Sequence, residues 1–164
     1  MGERAVRRSI LLLVSSMSAG GRSVRLGPRI VRILRGGGWE VAVRLTTPGD
    51  DPAALAAQVA SDSIVAALGG DGYLGAVARG CHDSGALFVP FPGGRGNDLC
   101  RALGIGTDPL ARARDVASLG FVSGTAGDEA VAGRARRATD ALASRVRPVD
   151  GMWVRSRDGV RLAL

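Results

Sequence analysis

The stretch IVAALGGDG, at residues 64–72, decides the fold. Its first five residues are apolar without interruption, which is typical of a strand buried on both faces of a parallel sheet. Three glycines and an aspartate follow at once, and a helical segment is then predicted over residues 73–79. A strand, a glycine turn and a helix in this order place backbone N–H groups at a helix N-terminus, where anions bind. The stretch therefore predicts an anion-binding turn within an α/β fold.

The rest of the chain repeats this alternation of strand and helix. Apolar or alternating runs predict further strands at residues 9–15, 40–46 and 86–89. Helical spacing, caps and breakers predict helices around residues 30–34, at 51–61, 99–103 and 109–119, and more weakly at 128–145. Strands and helices in this rhythm favour a three-layer α/β fold, in which helices cover both faces of a parallel sheet.

Proline and glycine set the predicted helix ends. Pro28 is expected close to the start of its helix, because proline is tolerated there without loss of a backbone hydrogen bond. The glycines at residues 36–38 are expected to end that helix. Asp51 followed by Pro52 predicts a sharp helix start, with an N-cap and then proline at the first position.

A second glycine loop lies between the fourth predicted strand and the next helix. Gly93, Gly94 and Gly96 precede Asn97 and Asp98 there. Ligands of open α/β sheets bind beyond the carboxyl ends of the strands. We therefore expect the two glycine loops to face one cleft.

Asp71 puts a negative charge inside the first loop, where an anion would sit. One interpretation is a Mg²⁺ ion held by this carboxylate, directly or through water, and a second is a hydrogen bond to a substrate hydroxyl. A third is a plain strand-to-helix turn in which Asp71 only caps the helix.

The positive charge of the chain at neutral pH comes from arginine side chains. The chain has 22 basic residues and a net charge of +7, and none of the basic residues is lysine. A P-loop of the lysine-containing type and a protein kinase both need a lysine, so both are excluded. Phosphate would have to be held by backbone N–H groups, by arginine or by a metal.

The remaining composition argues against several other classes. Aromatic residues make up only 4% of the chain, and the arginines are scattered, which gives no support to a nucleic-acid partner. Contact with anionic lipid headgroups is an alternative. Two separated cysteines, Cys81 and Cys100, and a single histidine do not suggest a zinc site. We expect a cytoplasmic protein, with peripheral contact at the inner face of the membrane as a further expectation.

Two segments resemble a known family. Leu68 to Gly80 contains the Gly-Gly-Asp-Gly loop followed by a helix expected to end at Gly80, and residues 92–105 read PGGRGNDLCRALGI. This pattern is similar to the catalytic domain of the diacylglycerol kinase family, which includes bacterial lipid kinases and sphingosine kinases and shares its fold with NAD kinases. The resemblance implies an α/β first domain, a β-sandwich second domain, and ATP bound with Mg²⁺ between them.

The resemblance also implies roles for individual residues. Asp71 matches the metal-binding position of the family. The positions that match the nucleotide-binding loops are Ala19, Gly20, Gly21, Thr46, Gly69, Gly70, Asp71, Gly72, Gly94, Arg95, Gly96, Asn97, Asp98 and Arg101. The general base of the family lies in the second domain, so no residue here matches it.

The expected organisation is an α/β nucleotide-binding domain at residues 1–147 and the start of a β-rich second domain at 148–164. A hairpin is predicted there, with strands at 149–154 and 160–164 around Asp158-Gly159. The chain stops inside the last apolar run, which suggests a continuation. The complete protein is expected to transfer the γ-phosphate of ATP to a lipid hydroxyl.

Two alternatives stay open. Tyr73, Gly75 and Ala76 stand where the family usually has threonine, asparagine and glutamate. These changes favour a degenerate, non-catalytic nucleotide-binding or interaction module. The third reading is an NAD kinase-like enzyme, which shares the first glycine loop but has a different second motif.

Overall fold

The computed structural model describes residues 9–119, 152–156 and 159–163 of the chain. A four-stranded parallel sheet has the order β2-β1-β3-β4. Its strands are β1 (Ser9–Ser15), β2 (Glu40–Thr46), β3 (Ile64–Gly69) and β4 (Leu87–Pro92). The helices are α1 (Arg22–Gly36), α2 (Pro52–Ala57), α3 (Asp71–Ser84), α4 (Asp98–Ala102) and α5 (Pro109–Ala117), and a 3-10 turn (Ser18–Gly21) precedes α1.

Helices cover both faces of the sheet. One apolar cluster joins Leu12 of β1 to Leu34 of α1 and Val116 of α5. The other joins Leu13 of β1 to Val77 of α3, together with residues of α2 and α4. Successive residues of β1 thus enter opposite clusters, as the two-residue period of a strand requires. The α/β, three-layer prediction is confirmed.

The strand register brings four strand ends to one edge of the sheet. Ser15 pairs with Thr46, and Val14 pairs with Leu68. Gly69 pairs with Pro92 on the other side of β3. The segments that leave these strands, including both glycine loops, therefore start from neighbouring points.

Helix α3 is longer than predicted. It begins at Asp71 and continues to Ser84, where Gly85 ends it in the left-handed conformation with φ 76°. The prediction that Gly80 ends the helix is wrong. Gly80 is buried in the middle of α3, and a Cβ atom there would lie 2.1 Å from the carbonyl oxygen of Ala53. The glycine is needed for the close approach of α2 and α3.

Two further element ends differ from expectation. Helix α1 begins at Arg22, so Pro28 is its seventh residue and not part of its first turn. Pro28 is exposed, and so is Val24, whose carbonyl loses its helical partner and can bind water instead. Asp51 caps α2 as predicted, accepting from the Ala53 amide at 2.9 Å, but the helix ends at Ala57 and not near residue 61.

The fourth strand runs over Leu87–Pro92, beyond the predicted residues 86–89. It contains Pro90 and Pro92, and among the described strands it forms one edge of the sheet. Prolines are accommodated in an edge strand because its outer N–H groups have no neighbouring strand to bind.

Near the C-terminus, β5 (Met152–Ser156) and β6 (Gly159–Ala163) pair in antiparallel fashion. Ser156 pairs with Gly159, which confirms the predicted hairpin, with both strands continuing one or two residues closer to the turn than predicted. The predicted helix at 128–145 lies outside the described residues. The division into two domains at residue 147 stays a prediction. Within the described segments, none of the helices has the length and hydropathy needed to cross a bilayer.

Candidate functional site

The two glycine loops touch each other directly at the edge of the sheet. The Gly93 amide donates to the Gly69 carbonyl at 2.8 Å. A Cβ atom on Gly94 would lie 2.6 Å from the Cα of Gly70. A side chain at Gly94 would therefore force the loops apart, so glycine is required by packing at this position.

Two polar side chains fix the shape of these loops. Asn97 is 4% exposed and adopts the left-handed conformation with φ 57°. Its Oδ1 accepts from the Gly94 amide at 3.0 Å, which closes the second loop. In the 3-10 turn, Ser18 Oγ accepts from the Gly70 amide at 3.1 Å. The 3-10 turn and the two glycine loops are thus held together by hydrogen bonds.

These internal contacts decide which backbone donors remain for a ligand. The amides of Gly70, Gly93 and Gly94 are all used within the site. The first amides of α3 are different, because the opening residues of a helix have no carbonyl four positions earlier within it. A Cβ atom on Gly72 would meet no atom within 4 Å, so the backbone there is open to approach. The N-terminal turn of α3 is therefore a place where an anion can reach unpaired N–H groups.

Asp71 is the first residue of α3 and is half-buried. Its Oδ1 accepts from the Leu99 amide at 3.0 Å, at the start of α4. Its Oδ2 lies beside Gly96, where a Cβ atom would be 3.1 Å away. One carboxylate oxygen thus caps the neighbouring helix α4, whereas the plain-turn interpretation has Asp71 cap its own helix, α3. The carboxylate still borders an open cleft.

Tyr73 is one of the residues that line this cleft. Its ring lies over Gly69, since a Cβ atom on Gly69 would be 2.5 Å from the Cδ1 of the ring. Its hydroxyl is 3.0 Å from Thr46 Oγ1, which in turn donates to the Val14 carbonyl at 3.2 Å. Burial raises the pKa of the Tyr73 hydroxyl, so this group stays protonated at neutral pH. The tyrosine therefore links the ends of β3 and β2 across β1.

A cleft of about 450 Å³ opens between these elements. Its lining residues come from the end of β1, the 3-10 turn, the segment after β2 and the first turns of α3: Ser15, Met17, Ser18, Thr46, Thr47, Pro48, Asp50, Pro52, Gly70, Asp71, Gly72, Tyr73 and Ala76. Among the described residues that line it, two are carboxylates and none is an arginine, although the whole chain carries a net charge of +7.

The second carboxylate of the cleft, Asp50, is held in place by its neighbours. Its Oδ2 accepts from both the amide and the hydroxyl of Thr47 at 2.8 Å. Its Oδ1 lies 3.2 Å from Arg44. The backbone hydrogen bond from Thr47 is the largest cause of the lowered pKa of Asp50. Asp50 is therefore ionised at neutral pH, and the cleft carries negative charge.

The structure brings only part of the predicted set into the cleft. Thr46, Gly70, Asp71 and Gly72 line it. Gly69, Gly94 and Asn97 lie behind these residues and shape the loops. The other predicted residues lie outside the lining: Ala19, Gly20, Gly21, Arg95, Gly96, Asp98 and Arg101.

Within this outer group, two features are clear. Ala19, Gly20 and Gly21 all have left-handed conformations and turn the chain into α1. Arg101 pairs with Asp98 at 2.8 Å and also donates to the Gly96 carbonyl. Their assignment to nucleotide binding stays a prediction.

Sequence reasoning missed Ser18, Asp50 and the inward role of Tyr73. Ser18 was recognisable only as a member of a small-residue loop, and Asp50 as a residue before a helix cap. Nothing in the sequence shows that the Tyr73 ring folds back over Gly69. A glycine four residues before an aromatic residue at a helix start is compatible with such a contact but does not require it.

Within the described residues, no three acidic, histidine or cysteine side chains form a group that could hold a metal ion. A metal bound through Asp71 would need most of its ligands from elsewhere. Mg²⁺ commonly uses one or two carboxylates together with water and substrate phosphates. A single carboxylate beside an anion-binding helix start fits that pattern.

The fold and the site define an α/β domain with a glycine-walled cleft at the carboxyl ends of parallel strands. The sequence model of the diacylglycerol kinase catalytic domain matches residues 9–123. This match covers most of the chain, and the chain belongs to that family. The family resemblance seen in the sequence is confirmed.

Solved structures show the same fold. A diacylglycerol kinase from Bacillus anthracis str. Sterne aligns over 70% of this chain and 41% of its own, with a TM-score of 0.59 at 21% identity. Two further structures from that strain give TM-scores of 0.60 and 0.57 at 21% identity, and 40% and 43% of those chains are covered, again over 70% of this one. The chain thus spans about two-fifths of the length of these structures. No curated protein matches it.

Proposed function

We propose that this domain binds the phosphates of ATP, together with Mg²⁺, as the nucleotide-binding part of a lipid kinase. The observation that carries the proposal is the open N-terminal turn of α3 at Gly72, beside the Asp71 carboxylate. Family membership supports the kinase class. The cleft volume of about 450 Å³ lies within the usual range for small-molecule sites.

The negative charge of the cleft makes a divalent cation part of the proposal. Asp71 would repel a bare triphosphate, and so would Asp50, whose charge is only partly offset by its ion pair with Arg44. Asp71 is the residue that would hold Mg²⁺, through the oxygen that does not accept from Leu99. When bound, the ion would neutralise charge on the phosphates. Backbone amides at the start of α3 would bind and orient the phosphoryl group.

The complete reaction needs more than the described residues. The proposed acceptor is the hydroxyl of a lipid, which has to be aligned with the γ-phosphate and deprotonated. No described residue is assigned as the general base. The segment after residue 147, and any continuation of it, is the proposed source of that group. The proposal therefore makes binding the function of this domain and transfer the function of the complete protein.

A calorimetric titration with ATP and Mg²⁺ tests this proposal. Gly72→Val places a side chain in the open space above the helix start, so we expect it to weaken binding at least about tenfold by blocking phosphate. Gly75→Val makes the same change one turn later in α3, where a Cβ atom also meets nothing within 4 Å. Gly75 does not line the cleft, so this control should bind like the wild type.

The outcomes separate the two main interpretations. Binding of wild-type protein that needs Mg²⁺ and is lost only in Gly72→Val supports the proposed site. Equal binding by both variants would place the nucleotide elsewhere. No binding at millimolar nucleotide would favour a non-catalytic module over a kinase domain.

A further inference from the structure

Helix α1 carries four exposed arginines on one face. Arg22, Arg25, Arg29 and Arg32 follow one another at spacings of three, four and three residues, which aligns them along a helix of 3.6 residues per turn. The helix contains no acidic residue. We call these four residues the arginine stripe.

The arginine stripe lies on the solvent-exposed side of α1. The buried residues of α1, which include Gly27, Ile30 and Leu34, lie on its opposite side and pack on the sheet. The stripe therefore forms a basic surface about 15 Å long, at a rise of 1.5 Å per residue.

An exposed apolar edge lies beside this basic surface. Arg35 donates to the Val41 carbonyl at 3.0 Å, which shows which side of α1 runs along the edge strand β2. Val24 lies eleven residues before Arg35, and therefore on nearly the same side of the helix. Val43 and Leu45 share a face of β2 with Val41, by the two-residue period of a strand.

These apolar side chains stay unusually accessible. Val43 and Leu45 are each 50% exposed, Val24 is 39% exposed, and Met17 at the end of the sheet is 70% exposed. The distance along α1 from Arg35 to Val24 is about 16 Å, and along β2 from Val41 to Leu45 about 13 Å. Val24 and Leu45 therefore lie at about the same height beside each other.

The arginine stripe begins at the candidate site. The side chain of Arg22 lies 3.4 Å from the Gly94 carbonyl in the second glycine loop. Arg25 donates to the Gly20 carbonyl at 3.1 Å in the turn before α1. A surface that docks through the stripe would thus hold the loops of the cleft close to it.

We propose that the arginine stripe and its apolar edge dock on a membrane surface that contains anionic lipids. Arginines beside exposed aliphatic side chains suit an interface where phosphate headgroups lie above acyl chains. The helix contains no aromatic residue on which a nucleic-acid base could stack. The proposal rests on the proposed function, because docking would bring the cleft to a lipid acceptor.

Vesicle sedimentation tests the proposal without nucleotide. Arg29→Gln with Arg32→Gln removes two stripe charges that make no contact with the cleft loops. Arg44→Gln with Arg79→Gln removes two charges on the other face of the sheet. With about 1 kcal/mol for each arginine near an anionic surface, the stripe pair should weaken binding to phosphatidylglycerol-containing vesicles about 30-fold. The control pair should stay near wild type.

A second variant tests the apolar edge. Val43→Ser with Leu45→Ser keeps every charge, and both positions are half exposed, so the fold should tolerate it. We expect weaker binding to the same vesicles and an unchanged circular dichroism spectrum. Vesicles of phosphatidylcholine alone should bind none of the proteins strongly.

Three outcomes would overturn the proposal, and a fourth would separate it from the proposed function. Equal losses in the stripe and control pairs would show attraction by total charge alone. Binding to duplex DNA but not to vesicles, with the same loss in the stripe pair, would identify a nucleic-acid surface. A change of mass in light scattering for the stripe pair would identify contact between copies. Wild-type protein that binds these vesicles but does not bind ATP in the presence of Mg²⁺ would contradict the proposed function. The proposed docking surface would then still stand.

Discussion

The Asp71 carboxylate accepts a hydrogen bond from the Leu99 amide at 3.0 Å, so the start of α3 and the start of α4 are joined by one side chain. A proposed metal-binding residue therefore also has a structural contact. Any substitution of Asp71 changes both unless it keeps an acceptor oxygen in place. This double role determines how the residue has to be tested.

Replacing Asp71 with asparagine separates the two roles. The amide oxygen of Asp71→Asn can still accept from Leu99, whereas Asp71→Ala leaves that amide without its partner. We expect the alanine variant to lose about 1–2 kcal/mol of stability, and the asparagine variant much less. Both should lose Mg²⁺-dependent ATP binding. Thermal melts and calorimetric titrations would measure the two effects.

The contact of α2 with α3 predicts opposite effects for two glycines of one helix. A Cβ atom on Gly80 would lie 2.1 Å from the Ala53 carbonyl oxygen, so Gly80→Ala should destabilise the fold by about 2 kcal/mol or more. Gly75 has open space around its Cβ position, and Gly75→Ala should stabilise the fold by up to about 1 kcal/mol. Urea unfolding measures both. Equal effects for the two variants would contradict the observed packing.

Gly69 and Tyr73 should behave as a coupled pair. Gly69→Ala alone would bring a methyl group to 2.5 Å from the Tyr73 ring, and Tyr73→Ala alone would leave a space above Gly69. In the double variant the methyl group occupies part of that space. We expect the combined loss to be smaller than the sum of the single losses by at least about 1 kcal/mol. Additive losses in urea unfolding would show that the ring lies elsewhere.

The buried thiol of Cys81 predicts a loss of stability at high pH. Burial raises its pKa from 9.0 to about 12, so the folded protein keeps the proton that the unfolded chain releases. The contribution is fully present below pH 9.0 and is lost as pH rises towards 12. Cys81→Ala should flatten this decline in melting temperature. An unchanged pH dependence in that variant would assign the decline to other groups.

Much of the sheet could be predicted because its residues carry strong local signals. The uninterrupted apolar runs of β1 and β3 are typical of strands in a sheet that is covered on both faces. In β2, apolar residues alternate with polar or small ones, which is typical of a strand nearer the edge of a sheet. Asp51 followed by Pro52 is a complete local helix start. In these segments, local preference and tertiary packing agree.

The rest depends on contacts between distant residues. Gly80 reads as a helix end in the sequence, yet it permits the approach of another helix, which only the packed structure reveals. The same holds for Tyr73 above Gly69 and for Asp71 beside Leu99. Glycine signals either a turn or a close approach, and the sequence alone does not distinguish the two.

The most direct test of the proposed site is an amide chemical-shift map of the ¹⁵N-labelled protein during titration with ATP and Mg²⁺. Phosphate bound at the start of α3 should shift the amides of Asp71, Gly72 and Tyr73 most strongly, and omission of Mg²⁺ should abolish most of the effect. If saturating nucleotide leaves the chemical shifts of these three amides unchanged and shifts other amides, the proposal that this cleft binds the nucleotide is contradicted.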